Sequence, residues 1–288
     1  MAAPSLSTPL KVLLRDGMVL APFVYDGLSA RIAEAAGFGC LYLSGFGSSM
    51  AKGFPDVGLL TGTEMVENAA YVVGAVNVPV IADADTGYGN AINVQRTVRD
   101  YQRAGVAAMH LEDQVFPKKC GFFKGKDVIP LEEAVAKIRA AVDARTDPDF
   151  LIIARCDALA IAGWDETEER CRGYHAAGAD MVFVDGIDSV EHLESYAQRL
   201  NDVPKLYNGD LRPSADIAAM GFQVMIHRGP MFHAFRALRA AYRELRAEGR
   251  LDPAVFGDTA ELRMEIAETL GLERIYEAEE RYAAHPAG

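Results

Sequence analysis

Short apolar runs alternate with amphipathic stretches along most of the chain. The stretches between the runs carry apolar residues at helical spacing, as in GLSARIAEAAG and LEEAVAKIRAAVDA. A glycine often follows, in AAG or RAG, which is a helix C-terminal signal. The runs are rich in Val, Ile and Phe, and they predict strands at 19–24, 40–44, 79–83, 107–113, 150–155, 180–185, 204–208 and 222–227.

Eight strand–helix units without a linker predict a TIM-type (β/α)8 barrel of the α/β class. An open doubly wound sheet is the alternative, but no G-x-G-x-x-G follows the first strand. Additional C-terminal helices are predicted by MFHAFRALRAAYRELRAEGR and the segment after it. We expect 1–288 to form a single barrel domain, with 250–288 a helical extension that packs on a neighbouring subunit. Packing of the extension on its own barrel is the alternative.

Polar residues stand at the carboxyl ends of seven consecutive predicted strands. In a barrel of this type, those ends carry the active site. The segments, from the second strand to the eighth, are SGFGSS, DADTGYG, LED, ARCD, VDG, YNGD and HRG. One such residue would be unremarkable, but the series indicates a site at this end.

Three carboxylates lie at two adjacent strand ends. Asp83 and Asp85 flank one alanine, and Glu112 ends the next strand. Grouped carboxylates repel one another unless a cation neutralises them, and hard oxygen ligands suit Mg2+ or Mn2+. We expect one or two direct ligands, with the others held through water. The alternative is structural: Asp83 caps the next helix, and Glu112 pairs with Arg155.

Other residues near these ends suit a carboxylate substrate. Arg155 offers a planar fork for a carboxylate, although a salt bridge inside the mouth is an equally ordinary role. SGFGSS offers backbone N–H groups and hydroxyls. The long loop 113–129 carries Cys120 beside lysines, which favour the thiolate. This loop is either a lid that brings an acid/base to the substrate or a mobile loop with an exposed cysteine.

Bulk composition excludes several classes of partner. The formal net charge is −12 without a basic block, which disfavours nucleic acid and anionic membrane surfaces. The four cysteines form no C-x-x-C pair, which indicates a reducing compartment. Neither a signal-peptide core nor an apolar run of membrane-spanning length is present, so we expect a cytoplasmic protein.

The segments DADTGYGN, LEDQVFPKKCG and IIARCDA resemble the isocitrate lyase / phosphoenolpyruvate mutase superfamily. The resemblance runs from PFVYDGLSARIAEAAGF through the fifth predicted strand and weakens after residue 180. It implies a Mg2+-bound (or Mn2+-bound) small-molecule carboxylate substrate, an enolate-like species and a homotetramer. It strengthens the metal interpretation of the three carboxylates.

The resemblance also implies roles for individual residues. Cys120 matches the family's lyase acid/base, and Arg155 would hold a carboxylate. Asp56 is a looser match to an outer-sphere acid. The substrate would be bound by Ser44, Gly45, Phe46, Arg155, Asn208 and Asp185, and the metal by Asp83, Asp85 and Glu112.

Several positions depart from the family pattern. Phe122 replaces a His in the loop, Cys156 replaces a Thr, and Asp185 replaces a Glu. GDLRP follows Asn208, and HRG ends the eighth strand. We expect four of these changes to line the mouth and to select an atypical substrate. Arg212 and Arg228 either supply a new anionic contact or are surface charges.

Four functions follow from these features. The first is a Mg2+-dependent carbon–carbon lyase on a 2-hydroxy di- or tricarboxylic acid. The second is an oxaloacetate-type decarboxylase or hydrolase, which depends less on Cys120. Phosphonate chemistry ranks lower, because mutases of the superfamily tend to have Asn-Ser where this chain has Cys120-Gly121. A catalytically silent binding subunit is disfavoured by the joint presence of the carboxylates, Arg155 and Cys120.

Overall fold

The computed structural model describes residues 9–120 and 125–283. Its eight parallel strands close into a barrel in chain order, with the eighth paired to the first. Each strand begins and ends within two residues of its predicted run, so the (β/α)8 prediction is confirmed. The strands are β1 Val19–Val24, β2 Leu41–Leu43, β3 Val80–Asp83, β4 Ala108–Glu112, β5 Leu151–Cys156, β6 Met181–Val184, β7 Lys205–Asn208 and β8 Val224–His227.

The helices occupy the amphipathic stretches between the strands. They are α1 Leu10–Asp16, α2 Gly27–Ala35, α3 Gly45–Ala51, α4 Gly62–Ala75, α5 Ala91–Ala104, α6 Leu131–Ala144, α7 Leu159–Ala176, α8 Val190–Arg199, α9 Ser214–Ala219, α10 Gly229–Glu248, α11 Thr259–Thr269 and α12 Leu272–Tyr282. Helix α5 illustrates how capping residues set the two ends of a helix. Asn90 accepts hydrogen bonds from the backbone of Ile92 and Asn93, and Gly105, at φ 86°, ends the helix in the left-handed conformation. None of the helices in the described ranges is long and apolar enough to cross a membrane.

Aromatic rings fill the barrel interior beneath the mouth. Tyr42 lies 4.6 Å from Phe23 and 5.7 Å from His110, measured between ring centroids. His110 contacts Phe183 edge-on at 5.6 Å, and its Nε2 lies 2.6 Å from the Tyr42 hydroxyl. Burial lowers the pKa of His110 to about 4, so the ring is neutral at neutral pH. A closely packed layer of aromatic side chains therefore lies directly below the strand ends.

The described chain divides into two compact units. The barrel unit runs to Pro230, and a helical unit begins at Met231, inside α10. Within the second unit, α11 packs against α12. The single-domain assignment, with an extension from residue 250 on a neighbouring subunit, stays a prediction.

Tyr196 ties α8 to the two strands that it covers. Its hydroxyl accepts a hydrogen bond from the backbone N–H of Val184, and it lies 3.1 Å from the carbonyl oxygens of Val182 and Leu206. The side chain is fully buried. Removing the hydroxyl would leave buried backbone groups without a partner, which is costly in a dry interior.

We predict that Tyr196→Phe lowers the free energy of unfolding by about 1–3 kcal/mol. Chemical denaturation monitored by circular dichroism measures the change. Tyr71→Phe is the matched control, because Tyr71 is 73% exposed on α4 and its hydroxyl is solvated. Equal stability of both variants and the parent would contradict the bridging role.

Candidate active site at the barrel mouth

The end of β3 and the turn after it supply two adjoining carboxylates. Asp83 and Asp85 are both buried. Asp83 accepts hydrogen bonds from the backbone N–H of Gly45 at 3.1 Å and of Asp85 at 2.9 Å. Asp85 has a φ of 45°, a left-handed conformation that is uncommon for a residue other than glycine. Such strain persists where the surroundings enforce it, and it is concentrated at functional sites.

Gly45 makes room for both carboxylates. A Cβ at this position would lie 2.5 Å from Asp83 Oδ2 and 3.4 Å from Asp85 Oδ1. Ser44 fixes the start of α3 by accepting a hydrogen bond from the Gly47 backbone at 3.1 Å, and Phe46 follows in the first turn. Because Gly45 has no side chain, Asp83 Oδ2 and Asp85 Oδ1 can both approach its backbone closely.

Several carboxylate oxygens at this point lack hydrogen bonds. Among the described residues, neither Oε atom of Glu112 nor Oδ1 of Asp85 has a hydrogen-bond partner, although all three are buried. Lys118 Nζ lies 2.9 Å from Asp85 Oδ1, and Arg155 Nε lies 3.4 Å from Glu112 Oε2, so each is an ion pair without hydrogen-bond alignment. Burial raises the pKa of Glu112, and burial together with the charge of Asp83 raises the pKa of Asp85 to about 6.

These donors fit a hard divalent cation. Buried oxygens without hydrogen bonds are costly unless another group satisfies them, and Mg2+ prefers oxygen ligands. Within the described ranges, no three His, Cys, Asp or Glu side chains converge closely enough to hold an ion by themselves. Because Mg2+ retains several waters, a site with one or two direct carboxylates is compatible with this spacing.

The structural alternatives for these residues meet different outcomes. Asp83 does not cap the helix after its strand, since Asn90 caps α5, and that interpretation is wrong. Asp83 instead binds the first residue of α3, because the turn of residues 84–89 separates it from α5. The expected contact of Glu112 with Arg155 is present at 3.4 Å.

The loop after β4 brings Lys118 and Cys120 to the mouth. The Lys118 ammonium is 3% exposed and lies 2.5 Å from Asp56 Oδ1. The backbone N–H of Cys120 donates to the Asp56 carbonyl at 3.0 Å, and Cys120 is 9% exposed. Lys119, by contrast, donates to the carbonyl of Gly125 at the surface. Asp56 therefore anchors the arm of the loop that carries the thiol.

Arg155 contacts three carboxylates, those of Asp157, Asp185 and Glu112. Its Nε and Nη2 donate to the two oxygens of Asp157 at 2.8 and 2.9 Å. Nη2 also lies 3.2 Å from Asp185 Oδ2, and the guanidinium stacks over Phe183 at 5.2 Å. The fork predicted to meet a substrate carboxylate thus has one edge on Asp157, and the salt bridge proposed as its alternative is present.

Asn208 and Asp185 lie at the ends of their strands as expected. Asn208 ends β7, and its buried Oδ1 has no hydrogen-bond partner among the described residues. Asp185 follows β6 and pairs with Arg155 and Lys126. Whether these residues and Ser44, Gly45 and Phe46 contact a substrate stays a prediction.

Other expected features of the mouth have mixed outcomes. Cys156 does not line the mouth: its free thiol is buried in the hydrophobic core with Cys171 of α7, because alternate strand residues face opposite sides. Arg212 pairs with Glu194 at 3.7 Å between exposed side chains, which favours the surface-charge alternative. Arg228 lies 3.6 Å from Asp210. Phe122 lies outside the described residues.

Sequence reasoning left several participants without a role. Lys118 balances the carboxylates, Asp157 orients Arg155, and Lys126 reaches both Asp157 and Asp185. Tyr42 contacts His110 beside Asp83, whose Oδ1 lies 3.5 Å from His110 Nε2. The only local signal was that Asp157 stands two residues after Arg155. The others depend on where the loop and the barrel interior fold.

Comparisons with known proteins agree with this architecture. The family described as phosphoenolpyruvate phosphomutase matches residues 10–246. The 2,3-dimethylmalate lyase of Eubacterium barkeri is 41% identical over 280 residues, covering 95% of this chain and 96% of that protein. The oxaloacetate decarboxylase of Chromohalobacter salexigens is 41% identical over 230 residues, covering 78% of each chain.

A solved structure extends the match to three dimensions. Oxaloacetate acetylhydrolase, in complex with 3,3-difluorooxalacetate, has a TM-score of 0.90 at 35% identity, covering 98% of this chain and 99% of that one. The motifs predicted the same relationship from DADTGYGN and LEDQVFPKKCG, and that prediction is confirmed. The chain therefore belongs to the phosphoenolpyruvate mutase / isocitrate lyase superfamily.

Proposed function

We propose that this protein is a Mg2+-dependent carbon–carbon lyase that acts on a 2-hydroxy di- or tricarboxylic acid through an enolate-like intermediate. The observation that carries the proposal is the set of buried, incompletely satisfied oxygens on Asp85 and Glu112 between Gly45 and Arg155. The match to 2,3-dimethylmalate lyase over nearly the whole chain supports the same reaction class.

Asp83, Asp85 and Glu112 would hold the cation, with Asp56 acting behind Lys118. When bound, Mg2+ (or Mn2+) supplies electrostatic stabilisation of negative charge on the substrate oxygens. The Ser44 hydroxyl, with the backbone at Gly45 and Phe46, orients one carboxylate. Arg155 and Asn208 hold the distal part of the substrate, with Asp185 fixing the arginine.

Cys120 serves as the acid that protonates the carbon of the departing enolate. Carbon–carbon cleavage moves the bonding electron pair onto one fragment, and that fragment must gain a proton to leave as a stable acid. The hydrogen bond from the backbone N–H of Cys120 to the carbonyl of Asp56 holds the thiol on the same segment of the loop as Lys118. A base must take the hydroxyl proton of the other fragment, which then leaves as a carbonyl compound.

Oxaloacetate decarboxylation or hydrolysis is the second candidate function. The similarity to oxaloacetate acetylhydrolase and to oxaloacetate decarboxylase favours it. It uses the same stabilisation of an enolate-like charge but does not require a thiol acid. Phosphonate bond chemistry and a silent binding subunit have no comparable support from the site.

The assembly and the location form part of the proposal. A homotetramer agrees with the apolar side chains exposed along α10, where Phe235, Leu238 and Tyr242 are 49%, 58% and 70% exposed. Such a row is costly in water unless another chain covers it. A cytoplasmic location agrees with the four free cysteines. Sedimentation velocity of the purified protein measures the oligomeric state.

The first experiment is a proton NMR time course of substrate conversion. Protein with Mg2+ or with EDTA is mixed separately with oxaloacetate, 2-methylisocitrate and 2,3-dimethylmalate. Mg2+-dependent loss of a 2-hydroxy acid with an equal amount of keto-acid product supports the lyase. Loss of oxaloacetate beyond the Mg2+-only control supports the second candidate. No conversion of a wider panel of 2-hydroxy acids would contradict the proposed lyase.

We predict that Cys120→Ser lowers lyase turnover by at least about 100-fold, because a hydroxyl is a much weaker acid than a thiol. Mg2+ affinity, measured by calorimetry, stays within about twofold, since the thiol is not a predicted ligand. Cys40→Ser is the matched control for a cysteine remote from the proposed chemistry. Undiminished turnover of Cys120→Ser would contradict the proposed role of Cys120 as the acid.

We predict that Gly45→Ala weakens Mg2+ binding by at least about tenfold, because the new methyl group displaces Asp83 Oδ2. Gly39→Ala is the control, since a Cβ there meets no atom within 4 Å.

Asp83→Ala is expected to lose metal binding and activity together. If Asp83→Ala lowers only the melting temperature, the residue is structural.

A further inference from the structure

Four charged side chains form a closed ring beside the inner part of the mouth. Lys126 Nζ lies 3.1 Å from Asp157 Oδ1 and 3.1 Å from Asp185 Oδ2. Nη2 of Arg155 meets the same two oxygens, at 2.9 Å and 3.2 Å. Positive and negative groups therefore alternate around the ring, and its formal charge is zero.

The ring is buried, so its electrostatics are strong. The side chains of Lys126, Asp157, Arg155 and Asp185 are 6%, 0%, 10% and 10% exposed. Burial alone would raise the pKa of Asp157, but Arg155 and Lys126 hold it well below its usual range. Burial alone would lower the pKa of Lys126, but Asp157 and Asp185 keep it raised. Asp157 is therefore ionised at neutral pH, and Lys126 keeps its positive charge.

Arg155 faces more negative charge than it can neutralise. Asp157, Asp185 and Glu112 all lie within 3.4 Å of its guanidinium nitrogens. Without Lys126, one cation would face three carboxylates, and the local field would repel an incoming carboxylate. With Lys126, the two aspartates are shared between two cations.

The shared arrangement leaves one edge of Arg155 available. Nε and Nη2 contact Asp157, and the ring of Phe183 fixes the guanidinium plane. Within the described ranges, the hydrogen bonds and ion pairs of Arg155 run through Nε and Nη2. An aspartate that has lost Lys126 would gain by turning to this edge, since a buried carboxylate seeks every available donor.

We infer that Lys126 is a positioning residue, which shares Asp157 and Asp185 with Arg155 and so keeps the Nη1 edge of Arg155 available for a substrate carboxylate. Lys126 itself does not touch the substrate. The inference rests on the proposed function in one respect, namely that Arg155 binds a carboxylate.

The test measures binding of oxalate, an unreactive dicarboxylate, by calorimetry in saturating Mg2+. We expect Lys126→Met to weaken oxalate binding by at least about tenfold, because a buried charge pair loses one partner. Lys126→Arg, which keeps the charge, is expected to restore binding to within about threefold. Lys119→Met is the matched control, since Lys119 lies in the same loop but its ammonium donates to the Gly125 carbonyl at the surface, and the substitution leaves its backbone hydrogen bonds with Gln114 in place.

A double-variant cycle separates positioning from a general structural effect. If Lys126 acts through Arg155, then Lys126→Met has no further effect on oxalate affinity once Arg155→Met is present. Additive losses, or an unchanged affinity of Lys126→Met alone, would overturn the inference.

Failure of the proposed function gives a different result. Wild-type protein that binds neither oxalate nor the other acids contradicts carboxylate binding itself. A crystal structure of Lys126→Met then decides the inference separately. Arg155 Nη1 turned onto Asp157 or Asp185 supports the positioning role, and an unmoved Arg155 overturns it.

Discussion

The balance of buried charge at the barrel mouth is the constraint on which the rest of the site depends. Three cations, Lys118, Lys126 and Arg155, lie among six carboxylates, namely Asp56, Asp83, Asp85, Glu112, Asp157 and Asp185. Unpaired charges in a poorly solvated space are costly, so each cation is shared between two or more acids. The acids that are least well compensated are Asp85 and Glu112, whose pKa values are raised by burial. That is where a divalent cation would restore the balance.

The barrel makes this balance possible because it holds like charges close together. β3 and β4 are hydrogen-bonded neighbours, so Asp83 lies opposite His110, and Glu112 lies opposite Arg155 on β5. The rings of Tyr42, His110 and Phe183 pack against one another in the barrel interior, so little space is left there for the carboxylates to move into. A more deformable scaffold would let them move apart and lose the arrangement. The loop after β4 then adds the cations that strand ends alone do not supply.

Strand positions were predictable because each buried strand needs a continuous apolar run, and such runs are visible in the sequence. The grouping of Asp83, Asp85, Glu112 and Arg155 at the strand ends was predictable for a related reason: polar residues at the end of an apolar run have few structural uses. Cys156 shows the limit of that reasoning. It stands next to Arg155 in the sequence, yet strand alternation turns it toward Cys171 on α7.

The sequence by itself therefore determined the fold class, the family and the acidic pole of the site, since these depend on local patterns of apolar and polar residues. Only the tertiary structure decided which charge each acid meets. Lys118 reaches Asp56 across 62 positions, and Lys126 reaches Asp185 across 59. Asp83 binds the backbone of α3 rather than capping α5. Long flexible cations choose partners by distance in space, and spacing along the chain does not encode that distance.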